Sequence, residues 1–145
     1  MTNDVTPLEA WQLLSDAQGV RYLDVRTVEE FQAGRPAGAI NVPVVERDHA
    51  TGQLVPNPDF LRVVLGHVDP STHVIVGCKS GGRSAMAAEM LRDAGYDKVS
   101  NMVGGFHGSH DPTGRIVQPG WAMLSLPVAT EPAAGTAYRD LRASL

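Results

Sequence analysis

Cys78 is the only cysteine in the chain, and it stands between two patterns that force a sharp turn. Before it, Val74-Ile75-Val76-Gly77 is a short apolar run that reads as a buried strand. After it, Ser84 to Ala94 has helical spacing, with Met86, Ala87, Met90, Leu91 and Ala94 three and four apart and Gly95 suited to end the helix. The connection Cys78-Lys79-Ser80-Gly81-Gly82-Arg83 therefore leaves a strand and enters a helix within six residues, using Gly81 and Gly82 for conformations that side chains forbid. Such a loop aims successive N–H groups into one concavity at the positive end of the helix dipole, which makes an anion nest. A thiolate held there is stabilised, and Lys79 and Arg83 add positive charge beside it. A lone cysteine at a strand end is more often an inert core residue. The glycines and cations around this one argue for a nucleophile, because a structural thiol needs neither.

Composition narrows the function classes. A chain of 145 residues fits one domain, and a domain of that size buries roughly two thirds of its unfolded surface. The formal net charge of -4 at pH 7, with no basic stripe in view, argues against a nucleic-acid partner but leaves small anions to a local nest. Met1 to Leu14 lacks a basic start followed by an apolar stretch, and no apolar run is long enough to cross a membrane. The expectation is a soluble, cytoplasmic protein with no membrane contact. A single cysteine excludes an internal disulfide and a thiolate-rich zinc site, and it leaves no second thiol to resolve an intermediate.

Along the chain, strands and helices alternate. Thr6-Pro7-Leu8-Glu9 reads as a helix start, with Thr6 as cap, Pro7 at the first helical position and Glu9 reaching back. Leu8, Trp11 and either Leu13 or Leu14 then share a face. Val20 to Val25 has strand character, and Thr27 to Gln32 reads as a short helix with an acidic start and Phe31 turned inward. Gly34, Pro36 and Gly38 break it; Ala39 to Val42 is a second short strand ending at Pro43. Glu46 to Pro58 reads as a polar surface loop, after which Asn57 or Asp59 caps a helix to about Leu65. Asp69-Pro70-Ser71 turns into the strand His73 to Val76, and Val99 to Val103 is a further strand running into Gly104-Gly105. This alternation predicts an α/β fold, a mainly parallel sheet with helices on both faces. Ligands of such sheets gather beyond the carboxyl ends of the strands, where Cys78 lies.

Taken together, several segments resemble a single-domain rhodanese of the thiosulfate sulfurtransferase type. They are Asp24-Val25-Arg26 with Glu29-Glu30-Phe31, Gly38-Ala39-Ile40-Asn41-Val42-Pro43, Cys78 to Ser84, and Gly104-Gly105. The resemblance covers residues 5–128 and implies a sheet of about five strands in a rhodanese-like fold. It also implies a sulfane-sulfur donor such as thiosulfate, and a persulfide on Cys78 between half-reactions. Cyanide, glutathione, thioredoxin or another thiol would be the acceptor; no cofactor or metal is implied, and the oligomeric state stays open. Lys79, Ser80, Gly81, Gly82, Arg83 and Ser84 would form the substrate loop, with backbone N–H groups on the sulfur and Lys79 orienting the donor. Arg83 is either an anion binder or a brace paired with a carboxylate, and the brace is favoured because a guanidinium fork suits a carboxylate. Asp24 and Arg26 lie near the same strand ends as supporting residues, Asp24 as a cap or ion-pair partner.

Loop length separates the rivals on this fold. Phosphatases and arsenate reductases place one residue more between cysteine and arginine than the four found here, and arsenate reduction usually needs a resolving thiol. A binding or regulatory module would commonly lack the cysteine. The chain also departs from the family pattern. Arg35-Pro36-Ala37 stands where the family often has a histidine, and His107 to Gly120 resembles an insertion between Gly104-Gly105-Phe106 and Trp121. Leaving the sheet beside the Cys78 loop, this stretch is expected to overhang the site rim with His107, His110 and Arg115; two histidines three apart in a Gly/Pro-rich loop do not make a metal site. Residues 129–145 read as a linker and a short helix with Tyr138, Leu141 and Leu145 on one face. His49, His67 and His73 read as solvated or structural.

Overall fold

The computed structural model describes residues 3–16 and 18–145. In chain order the elements begin β1 (Asn3–Val5), α1 (Pro7–Asp16), β2 (Arg21–Asp24), α2 (Val28–Ala33), β3 (Arg35–Pro36) and β4 (Ile40–Asn41). They continue with β5 (Val45–Arg47), β6 (Leu54–Pro56), α3 (Phe60–His67), β7 (Val74–Gly77), α4 (Gly82–Asp93) and β8 (Val99–Met102). The chain closes with β9 (Ser109–His110), β10 (Ile116–Gln118), a short 3-10 turn (Ala122–Leu124), β11 (Val128–Ala129) and α5 (Tyr138–Ala143). Five strands form one sheet in the order β1-β8-β7-β2-β4, and all four pairings are parallel.

Alternation along the strands divides the core in two. Leu23, Val74 and Val76 face α3, α4 and α5, packing with Phe60, Val63, Val64, Ala87, Leu91, Tyr138 and Leu141. Tyr22, Ile75 and Met102 face the other way, onto Ala10 of α1, Phe31 of α2, Phe106 and Trp121. This is the two-residue period of a sheet buried on both sides, which is why β7 reads as an unbroken apolar run. The expected sheet with helices on both faces is what the chain forms.

Local signals held where side chains bond the backbone. Thr6 N–H donates to Glu9 Oε1 at 2.8 Å and Glu9 N–H donates to Thr6 Oγ1 at 3.2 Å, a reciprocal cap. Thr27 and Glu30 close the same box on α2. Elsewhere the structure corrects the reading. Leu8 is exposed and Ala10 is the residue buried at the centre of the packed face of α1, with Trp11, Leu13 and Leu14 partly buried beside it. Residues Glu46 to Pro58 are not a plain loop: β5 and β6 pair antiparallel, with Val45 opposite Pro56. Helix α4 begins at Gly82, ahead of Ser84. Asp59 stands at the cap of α3 without a side-chain capping bond, while Asn57 Oδ1 accepts the Asp59 N–H at 3.0 Å and its amide donates to Pro43 O at 2.8 Å and to Tyr138 Oη at 3.1 Å. β1 adds a sheet edge that the sequence did not announce.

The C-terminal residues pack back on this body. Val128 and Ala129 pair with Pro36 and Arg35, and Arg35 is buried with its guanidinium 4.9 Å above the Phe31 ring. α5 lies on α3, where His67 Nε2 meets Leu141 O at 2.5 Å, while His73 Nε2 meets Ser100 Oγ at 2.9 Å and His49 is exposed. Trp121 is fully buried, edge-on to Trp11 with ring centroids 6.1 Å apart, and its Nε1–H donates to Pro127 O at 2.8 Å. Truncating it opens a cavity and leaves that carbonyl with the Ala37 N–H alone, at 3.0 Å. Trp121→Ala is therefore expected to cost about 3 to 5 kcal/mol, read as a lower midpoint in urea unfolding with the slope unchanged.

Candidate active site

The carboxyl ends of β2, β7 and β8 lie side by side, and each delivers one part of the site. β7 ends at Gly77, so Cys78 is the first residue beyond the central strand. Its side chain is 2% exposed, while Lys79, Ser80 and Gly82 around it are exposed. The sulfur accepts the N–H of Gly81 at 3.1 Å and the N–H of Ser84 at 3.3 Å, and Ser84 Oγ lies 3.3 Å away. The expected nest is thus built from two backbone donors. Only Gly81 takes the left-handed conformation, at φ +119°, where a side chain is strained; Gly82 does not, and it starts α4 with open space where a Cβ would be.

β8 supplies the floor. Phe106 N–H donates to Cys78 O at 2.8 Å, and His107 N–H donates to Lys79 O at 2.9 Å. Between these bonds the chain passes so close that a Cβ on Gly105 would sit 2.5 Å from Cys78 O. Glycine is required there by contact with the loop as well as by φ +57°.

β2 supplies the wall. Asp24 and Arg26 are both buried, joined at 2.7 Å, and Arg26 also donates to Gly34 O at 2.7 Å and lies 4.6 Å over the Phe106 ring. Burial pushes the Asp24 carboxyl up, and the bonds from Arg26 pull it back. The Asn41 amide donates to Asp24 O at 2.9 Å and Arg26 O at 3.0 Å, closing the corner. Both side chains therefore hold the end of β2, and neither is open to a ligand. Arg83 bonds Glu30 through both terminal nitrogens, at 2.7 and 3.0 Å, which is the brace expected of it.

Lys79 makes no ion pair among the described residues and remains exposed at the mouth. His107 shares that rim: partial burial and the charges of Arg26 and Lys79 push its imidazole below the usual histidine range, favouring the neutral ring at pH 7. His110 and Arg115 stand on the exposed β9–β10 hairpin, whose outer side also carries Ile116 and Val117. Among the described residues no three His, Cys, Asp or Glu side chains gather closely enough to hold a metal ion. A cavity of about 730 Å³ lies elsewhere, between α2 and residues 130–140, and Cys78 is not in its lining.

The Rhodanese-like domain family matches residues 6–111, a span that holds the Cys78 loop, Asp24 and Arg26. The chain belongs to this family. It is 52% identical over 88 residues to thiosulfate sulfurtransferase 16, chloroplastic, of Arabidopsis thaliana, covering 61% of this chain and 72% of that protein. It is 44% identical over 88 residues to the senescence-associated protein DIN1 of Raphanus sativus, 61% of this chain but only about half (47%) of that protein's length. The crystal structure of Rv0390 from M. tuberculosis superposes with a TM-score of 0.73 at 31% identity, covering 89% of this chain and 98% of that one.

Within this rhodanese-like domain two residues of the site had not been singled out for it. Glu30 belongs to the matched Glu29-Glu30-Phe31 segment, but its partner is 53 residues away in sequence. Asn101, in β8, accepts from Ser84 Oγ at 2.6 Å; two adjacent polar residues, Ser100 and Asn101, between Val99 and Met102 of a strand were the available signal. Burial works against the Glu30 charge, yet Arg83 and Thr27 outweigh it and hold the carboxyl at about 2, below the usual 4.5. A depressed carboxylate stabilises the fold fully above its unfolded value, and that contribution is lost as pH falls towards 2. Glu30→Gln should accordingly melt below the parent protein at neutral pH, with the gap narrowing from about pH 4.5 down to about pH 2 in thermal unfolding followed across pH.

Proposed function

We propose that this rhodanese-like domain is a sulfurtransferase that moves a sulfane sulfur, from thiosulfate or a similar donor to a thiol or cyanide, through a persulfide on Cys78. The observation that carries the reading is the sulfur itself, held by two N–H donors at a strand end while the neighbouring arginine is committed to Glu30. In the first half-reaction the Cys78 thiolate attacks the outer sulfur of thiosulfate. A new S–S bond forms on Cys78, the S–S bond of thiosulfate breaks, and its electron pair leaves on sulfite. In the second, a thiolate acceptor or cyanide attacks the outer sulfur, and the Cys78 thiolate is released. The Gly81 and Ser84 N–H groups bear the charge on the inner sulfur at both ends of the cycle. Lys79 at the mouth attracts and orients the dianionic donor as a compact cation.

Two observations favour sulfur over a tetrahedral oxyanion such as phosphate or arsenate. Both terminal nitrogens of Arg83 are occupied by Glu30, and the chain has no second cysteine to resolve an oxidised intermediate. A binding module that had given up turnover would not need the thiol between those donors. The test is intact mass after incubation with thiosulfate: the parent protein should gain one sulfur atom, and Cys78→Ser should gain none while keeping its circular dichroism. No added sulfur on the parent, or equal turnover in the variant, defeats the mechanism.

The β9–β10 hairpin is proposed to select the acceptor at the rim. Its base cannot be removed freely, because a Cβ on Gly120 would stand 2.3 Å from Gly108 N beneath His107. Residues 110–117 can be replaced by Asn-Gly, closing at the Ser109–Gln118 pair, since that dipeptide suits a two-residue hairpin turn. Persulfide formation should then persist while relative rates with cyanide, glutathione and thioredoxin change. Unaltered acceptor preference in a stable shortened protein would assign the hairpin to the surface alone.

A further inference from the structure

Ser84 sits at a branch point. It is fully buried in the first turn of α4, and its Oγ lies 2.6 Å from Asn101 Oδ1, 3.2 Å from Gly81 O and 3.3 Å from Cys78 Sγ. A serine hydroxyl has one proton to share among these three. Two of the neighbours are carbonyl oxygens that only accept, so the shortest contact is the Ser84 O–H donated to Asn101. The Asn101 amide is turned accordingly, with Nδ2 towards Gly81 O at 3.5 Å. With its proton on the Asn101 side, Ser84 presents a lone pair to Cys78. That suits a thiol, whose S–H can donate to it, and opposes a thiolate. A charged sulfur is better served by the O–H itself, which must then leave Asn101. The two arrangements exclude each other.

We propose that Asn101 is a positioning residue that competes with Cys78 for the Ser84 hydroxyl proton. The hydroxyl turns to the sulfur when the sulfur is charged, and is parked on Asn101 when it is not. The N–H groups of Gly81 and Ser84 serve the sulfur in both arrangements, so the device adjusts the thiolate without building it. Asn101 is 5% exposed, so water does not replace it as the alternative acceptor. The other groups facing this corner are Lys79 and Arg83 of the loop, Tyr22, Asp24 and Arg26 from β2 and its end, Glu30 of α2, and His107 after β8. Asp4 is the neighbour of Asn101 in register on β1. An uncharged replacement at Asn101 leaves the charge of each unchanged. The inference rests on Cys78 as the nucleophile of the proposed function, but its test reads thiol ionisation, so failure of sulfur transfer and failure of this competition are distinguishable.

The experiment is the rate of Cys78 alkylation by iodoacetamide across pH, in the parent protein, Asn101→Leu, Ser84→Ala and the double variant. Leucine is close to asparagine in shape and accepts nothing. Asn101→Leu removes the shorter of the two carbonyl contacts, leaving only Gly81 O at 3.2 Å to compete with the sulfur, and should lower the midpoint of the rate profile by about half to one pH unit, the worth of one modest hydrogen bond. In the Ser84→Ala background the same substitution should move the midpoint little, because no hydroxyl remains to compete for. A midpoint that stays or rises in Asn101→Leu, or an equal shift without the serine, overturns the proposal. Should Asn101→Leu fail to fold, the parent protein decides the matter by NMR. The Asn101 side-chain carbonyl carbon should titrate with the Cys78 midpoint, and that response should vanish in Ser84→Ala. A flat Asn101 signal, or one that survives loss of the serine, overturns it equally.

Discussion

The site depends on one clamped peptide. The carbonyls of Cys78 and Lys79 accept the N–H groups of Phe106 and His107, at 2.8 and 2.9 Å, so the loop leaving β7 is fastened to the chain leaving β8. Everything that makes the thiol useful follows from that fastening. With its carbonyls pinned on the β8 side, the loop presents the Gly81 and Ser84 N–H groups to the sulfur. The clamp also explains the second glycine of the pair: a Cβ at Gly105 would meet the Cys78 and Lys79 peptide at 2.5 Å, whereas one at Gly104 would meet Gln118 and Pro119.

Two ion pairs support the clamp in different ways. Asp24 and Arg26 are closed off from water, and the arginine also donates from Nη2 to Gly34 O and lays its face over Phe106. Removing one partner of such a pair leaves a buried charge, so the pair fixes geometry more than it adds stability. Glu30 and Arg83 are partly exposed, and their bond joins α2 to the first turn of α4. Glu30 meanwhile completes the cap of its own helix with Thr27. A single carboxylate thus sets where α2 begins and where the loop ends. Because Arg83 is spent in this way, the positive character of the mouth comes from Lys79 and from backbone N–H groups. An acidic protein can hold an anion there because the nest is local, whereas its net charge of -4 is spread over the surface.

The sequence disclosed features that are written within a few residues of one another. The cap at Thr6, the strand before Cys78 and the helix after it rest on short spacings, and the structure has them, whereas the brace at Arg83 is read from the fit of a guanidinium fork to a carboxylate. What stayed hidden was set by distant partners. β1 has three residues, Asn3-Asp4-Val5, too short and too polar to show alternation, and it is a strand only because β8 offers an edge. Val45 to Pro56 forms a hairpin through mutual pairing that its polar composition conceals. The burial of Ala10 in place of Leu8 depends on where the sheet meets α1, which no helical wheel contains. Glu30 and Asn101 joined the site from 53 and 17 residues away. Spacing predicts which residues share an element; it does not say which elements share a corner.

The burial of Cys78 bears on how the proposed cycle divides between donor and acceptor. At 2% exposure Cys78 is covered, while its loop neighbours Lys79, Ser80 and Gly82 are exposed. A persulfide moves the reacting atom outward by the length of one S–S bond, about 2.05 Å. The first half-reaction would then take place at the base of the nest, where N–H donors set the geometry and a small anion fits. The second would take place at its mouth, where the Lys79 side chain is exposed and His107 is bonded through its backbone to the same loop. Donor and acceptor would meet different residues of one short loop. The donor would then be constrained by a nest that the fold holds in place, and the acceptor by exposed side chains, which can change without altering the backbone bonds of the clamp.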